Sequence, residues 1–197
     1  MSVLPRKFRP LVTAGVVMVF AACTQPTGLV NVASSPLEDR SIETLRDDAA
    51  ITFDITEALI GNQYSDLFTE ISTDVYERVV MLTGTVKFPQ NKKRASDLVR
   101  SVNGVKRIIN EMQVTRDYGP VSAANDLWIE TKLKVKLLGT KDIRSINYRW
   151  RSVNGVVYLI GASRSQQEMN IVLDIVRTAE RVKKVVNHAW IRPPKVN

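Results

Sequence analysis

The folded part of this chain is written twice, and that duplication limits its architecture more than any other feature. Ile51, Ile55, Leu59, Ile60 and Gly61 return as Ile129, Leu133, Leu137, Leu138 and Gly139, 78 residues later. The run Val79-Val80-Met81-Leu82-Thr83-Gly84 returns as Val156-Val157-Tyr158-Leu159-Ile160-Gly161, at an offset of 77. Val105 to Asn110 returns as Val182 to Asn187, again at 77. Three blocks in one order at nearly one spacing mark an internal repeat. A period near 77 is too long for a solenoid unit and fits two small domains.

Each copy has the same order of predicted elements. A helix comes first, with apolar residues at i, i+4 and i+8 and a glycine at its end, where a left-handed C-cap is expected. Asp47-Asp48 is expected at its start in the first copy, where negative charge is favoured. Two strands follow. In the second copy Ile146, Tyr148 and Trp150 alternate with Asn147, Arg149 and Arg151, the period of a half-buried strand. Asn154-Gly155 supplies a two-residue turn into Val156–Ala162. A second helix is expected at Lys92–Ser101 and Ser165–Ala179, and a last strand at Val182–Ile191. The fold class is α+β: two tandem αββαβ units, each a small mixed three-stranded sheet covered by two helices. Gly84 and Gly161 relieve crowding in their strands.

This order, with the Leu-Ile-Gly or Leu-Leu-Gly helix end, the Val-x-Leu-x-Gly strand and the basic return strand ending in Asn, resembles the BON domain. The resemblance covers about residues 42–115 and 118–192, which sets domains at 42–117 and 118–192 and leaves a tail at 193–197. Two copies behind an export segment are similar to the dual-BON outer-membrane lipoproteins of Gram-negative bacteria. That resemblance implies binding of anionic phospholipid and upkeep of envelope integrity. Its alternative is an adaptor for an envelope protein without direct lipid binding.

Residues 1–22 read as that export segment. Arg6, Lys7 and Arg9 precede an apolar run from Leu11 to Ala22, twelve residues long. A membrane-crossing helix needs about 20, so the run is a signal-peptide core. Val19-Phe20-Ala21-Ala22-Cys23 resembles a bacterial lipobox, with Phe20 where leucine is usual. Cys23 is the only cysteine, so no disulfide can form within the chain. The lipobox resemblance implies that Cys23 is acylated and becomes the mature amino terminus. It also implies sorting to the outer membrane, because residue 24 is Thr and not Asp. Each buried methylene contributes about 0.8 kcal/mol, so two or more acyl chains hold stably. Residues 23–41, punctuated by Pro and Gly, are expected to be a flexible tether.

Charge separates the two copies. Thr24 to Asp117 carries 11 basic and 14 acidic residues, net −3; Tyr118 to Asn197 carries 14 basic and 6 acidic, net +8. A basic domain beside a membrane favours anionic head groups, by about 1 kcal/mol per Lys or Arg near the surface. An exported, tethered chain would rarely meet nucleic acid.

The first helix of the second copy carries the candidate site. Ile129, Leu133 and Leu137 share an arc of about 80° and form its core face. Trp128, Thr131, Val135 and Leu138 fall on the far side, edged by Lys132 and Lys134. An outward apolar stripe flanked by lysines is the pattern of an interfacial helix, and indole favours the headgroup level. The aligned residues of the first copy are Ala50, Asp54 and Thr56 in place of Trp128, Lys132 and Lys134. Two occupants fit the stripe: anionic lipid, or protein, including packing of Trp128 against the first copy. No catalytic motif, metal-ligand spacing or phosphate loop is present. The lone histidine, His188, reads as a structural strand residue. No cofactor is expected, and the oligomeric state is open.

Overall fold

The computed structural model describes residues 39–60 and 71–193; the signal segment, Cys23 and the tether up to residue 38 lie outside them. The first repeat runs α1 (Ile42–Ile60), β1 (Ile71–Tyr76), β2 (Val79–Val86), α2 (Pro89–Arg100), β3 (Arg107–Asn110) and β4 (Gln113–Val114). The second runs α3 (Pro120–Gly139), a 3₁₀ turn (Ser145–Asn147), β5 (Tyr148–Val153), β6 (Val156–Ser163), α4 (Gln166–Arg177), β7 (Lys184–Asn187) and β8 (Trp190–Ile191). In each, the central strand pairs antiparallel with the strand before it and parallel with the return strand.

The return strand is broken where one continuous strand was expected. Asn110 Oδ1 accepts from the Met112 amide at 3.2 Å, and Asn187 Oδ1 from the Ala189 amide at 3.0 Å. Each asparagine folds a local turn that interrupts the ladder. The chain then rejoins the same central strand as β4 or β8.

The central strands are buried on both faces, which explains their unbroken apolar runs. Val80, Leu82 and Val86 face one core with Ile51, Ile55 and Leu59 of α1. Val157 and Leu159 face the matching core with Ile129, Leu133 and Leu137 of α3. The alternate residues, Met81 on β2 and Tyr158, Ile160 and Ala162 on β6, form a third cluster with Tyr76 and Val153. That cluster joins the two sheets face to face, with helices on both outer sides. Residues 77 apart meet at the rim of the junction: Asp74 with Arg151 as an ion pair (2.8 Å) and Glu111 with His188 through a hydrogen bond (2.8 Å). His188, expected on a strand, lies in the break between Asn187 and Trp190, and its side chain has a specific partner in Glu111. The first described residues also reach across: the Asp39 carboxylate accepts from Asn147 Nδ2 (2.7 Å) and Arg144 (3.0 Å).

A buried aspartate in each first helix grips the following hairpin. Asp48 accepts the amides of Glu77 and Arg78, both at 2.8 Å, and pairs with Arg40. Asp126 accepts from Asn154 (2.7 Å), Gly155 (2.8 Å) and the Ser152 hydroxyl (2.6 Å). Both turns have two consecutive residues at positive φ: Glu77 (51°) and Arg78 (64°), then Asn154 (54°) and Gly155 (78°). Asp48 is therefore not at the helix start. α1 begins at Ile42, and Ser41 supplies the cap, its hydroxyl accepting the Thr44 amide at 3.1 Å.

Other local expectations shift. Gly139 is the last residue of α3 and is not left-handed; Thr140 leaves the helix with extended backbone. α2 begins at Pro89, because proline suits the first helical turn. Ile146 lies in the 3₁₀ turn ahead of β5. Gly161 does relieve crowding: at φ 147° it lies against the Asn147 carbonyl oxygen, where a Cβ would collide.

Candidate functional site

α3 is set by its own core face. Ile129, Leu133 and Leu137 are fully buried against β6 and α4, and Asp126 ties its first half to the hairpin turn. This leaves the opposite face in solvent. Its exposed charges are Lys132, Lys134 and Lys136, with no exposed carboxylate on the helix. Val135 and Leu138 stand 66% and 63% exposed.

The six sequence-derived residues share that helix but divide between two flanks. Trp128 is half-buried and packs on the core of its own repeat. The Arg181 guanidinium lies 4.3 Å from its ring centroid and the Lys132 ammonium 5.5 Å. Such contacts contribute about 0.5–1 kcal/mol where solvent reaches them. Thr131, Lys134 and Leu138 lie on the other flank, where they wall a cleft of about 500 Å³ against β5. The Thr131 hydroxyl donates to the Leu127 carbonyl at 2.8 Å. Val135 is exposed between the flanks.

Leu127 and Ile146 add apolar lining to the cleft, and Trp150 and Arg149 line it from β5. Trp150 Nε1 donates to the Glu130 carbonyl at 3.3 Å. Glu130 accepts the Ser152 amide at 2.8 Å and lies 3.8 Å from Arg151. Burial pushes its carboxyl up, against the pull of that amide and of Arg151. Arg151 is held charged chiefly by Asp74, in spite of its own burial.

Sequence reasoning missed Arg181, Leu127 and the β5 wall. Helical periodicity reports one element at a time, and these contacts need the α4–β7 turn and β5 in place. Among the described residues no group of three or more His, Cys, Asp or Glu side chains could hold a metal ion.

Comparison with known proteins agrees with the duplication. Residues 47–116 and 125–193 each match the family described as BON domain. A protein of Anaplasma centrale described as "Uncharacterized protein in gshII 5'region" is 33% identical over 151 residues, covering 76% of this chain and 98% of that protein. Outer membrane lipoprotein DolP of Haemophilus influenzae is 27% identical, covering 79% of this chain and 78% of DolP. Osmotically-inducible protein Y of Escherichia coli is also 27% identical, over 72% of this chain and 71% of its own length.

Proposed function

The chain belongs to the BON-domain family and carries two copies, and from that premise we propose that it is an envelope lipoprotein whose second copy docks on anionic phospholipid through α3. It is a binding module with no chemistry of its own, and it helps maintain the envelope. The observation that carries this reading is the solvent face of α3: three lysines, no carboxylate, and Val135 and Leu138 in the open. Three lysines near an anionic surface contribute about 3 kcal/mol together. Val135 and Leu138 add insertion, and Trp128 with its cationic neighbours sits at headgroup level. The names of two relatives, an outer membrane lipoprotein and an osmotically inducible protein, support an envelope location.

Acylated Cys23 supplies the permanent hold on the periplasmic face of the outer membrane. Mass spectrometry of the mature protein checks this: a triacylated cysteine at its amino terminus is expected, and an unmodified terminus elsewhere excludes it. Flotation with vesicles tests the lipid site, using the chain from Thr24 onward, which contains every described residue. Binding to anionic and not to zwitterionic vesicles is expected, weakening as salt rises. Lys134→Glu and Leu138→Ser are expected to lower it several-fold. Absence of flotation at low salt removes the lipid reading. The cleft between α3 and β5 then favours the second reading, an adaptor that takes a partner's apolar side chain beside Leu138 and Trp150.

A further inference from the structure

α1 and α3 hold the same place in their repeats, on the two outer sides of the paired sheets. Their solvent faces are complementary. The exposed charges of α1 are Glu43, Asp54 and Glu57 against Arg46 alone. Ile42 and Phe53 are exposed on the same helix, Phe53 by 70%. At 100° per residue these two lie about 20° apart, with Glu57 about 40° from Phe53. On α3, Val135 and Leu138 lie about 60° apart, with Lys134 about 40° from Leu138. The α3 strip is edged by lysines alone; the α1 strip also holds Arg46, about 20° from Phe53, and is acidic on balance through Glu43, Asp54 and Glu57.

We infer that the α1 face of one copy of this chain docks on the α3 face of a second copy. Like faces oppose pairing: α1 against α1 sets six exposed carboxylates against only two arginines, and α3 against α3 sets six lysines together. The two faces differ and point to opposite sides, so the contact is heterologous and does not close into a twofold dimer. A docked pair keeps one open α1 face and one open α3 face, and further copies add in line. A single helix-to-helix contact is smaller than a standard stable interface, so the association is weak and falls as salt screens it. It does not rest on the lipid reading, but both use α3, so lipid and a second copy compete for that face.

Sedimentation of the chain from Thr24 onward tests the inference. At low salt the apparent mass is expected to rise with concentration, up to about 1 mM, and at about 0.5 M salt it is expected to return to that of the monomer. An α1-face variant, Phe53→Ser with Glu57→Gln, and an α3-face variant, Lys134→Gln with Leu138→Ser, are each expected to be monomeric alone. Mixed in equal amounts, they retain one intact face of each kind. They are expected to form a one-to-one pair and nothing larger. A parent that stays monomeric at low salt overturns the inference. So does an α1-face variant that still self-associates, or a mixture that grows past the pair. Vesicle flotation of the same variants reports on the lipid reading separately. The α1-face variant is expected to float like the parent, and the α3-face variant to lose binding.

Discussion

The two repeats share an interior and differ on their surfaces. Asp48 and Asp126 grip equivalent turns, and β2 and β6 present the same alternation to helices and to each other. Around that frame the copies diverge. α4 starts after Ser165, whose hydroxyl accepts the Glu168 amide at 3.1 Å, and buried Glu168 ties down the amides of Arg144 (2.7 Å) and Arg164 (3.0 Å). α2 starts after Phe88, with no side-chain cap. The hairpin of the second repeat turns through Asn-Gly, and that of the first through Glu-Arg. The comparison teaches that the buried aspartate and the two-sided strand specify the fold, while turn chemistry, caps and outer charge vary around them.

The largest test of this removes the aspartates. Asp48→Ala is expected to cost about 3–5 kcal/mol, because it takes the carboxylate from Arg40 and from a turn of two non-glycine residues at positive φ. Asp126→Ala is expected to cost less, about 2–3 kcal/mol, because Asn154-Gly155 prefers its turn unaided. Urea unfolding of both variants measures the difference. Equal losses would show that turn residue type does not matter here.

Alkali should act next, through Tyr76 at the junction. Burial pushes its phenol up to about 12 from 10.0, against the lowering influence of Arg192 and Arg40. The folded state holds this proton more tightly, so the stabilisation is complete below pH 10 and is lost as pH rises toward 12. Two pKa units correspond to about 2–3 kcal/mol. A Tyr76→Phe variant should show a smaller loss over that window in pH-dependent unfolding.

Turn exchange sharpens the comparison at about 1 kcal/mol. Gly155→Ala in the second repeat is expected to destabilise by about that much, because φ is 78° and the new Cβ meets Lys183 and the Arg181 carbonyl. Arg78→Gly in the first repeat is expected to stabilise by a similar or smaller amount, read as a rise in Tm. The smallest effect belongs to the outer face of α3. Val135→Ser and Leu138→Ser should each change stability by about 0.5 kcal/mol or less, with their consequence in vesicle binding and self-association.

Periodicity carried much of this architecture. The i, i+4 spacing of Ile129, Leu133 and Leu137 gave the buried face of α3, and Asn154-Gly155 gave a turn whose φ values match a primed hairpin. Glu77-Arg78 carries no such signal, since neither residue favours positive φ, and its turn depends on Asp48 from 29 residues earlier. Asp48 looked like a helix-start charge because the sequence shows adjacency and not burial. Its equivalence to Asp126 at offset 78 was the available clue. The stripe on α3 was legible as an outward face. Its division was not, because Trp128 is claimed by Arg181 across a gap of 53 residues and Leu138 borders β5.

The two rim pairs, Asp74 with Arg151 and Glu111 with His188, join each position to its own counterpart. Were a single αββαβ unit to pair with an identical partner in this arrangement, each such position would confront itself. Residue 74 would have to tolerate residue 74, and a carboxylate there would face a carboxylate. That requirement ties two sides of a contact to one codon. Joining both units in one chain cuts the tie, because the two sides then mutate independently. Opposite charges, impossible for a residue that must meet its own copy, become available at the rim of the junction. The duplicated chain thereby gains a means of telling its own second half from another copy of its first.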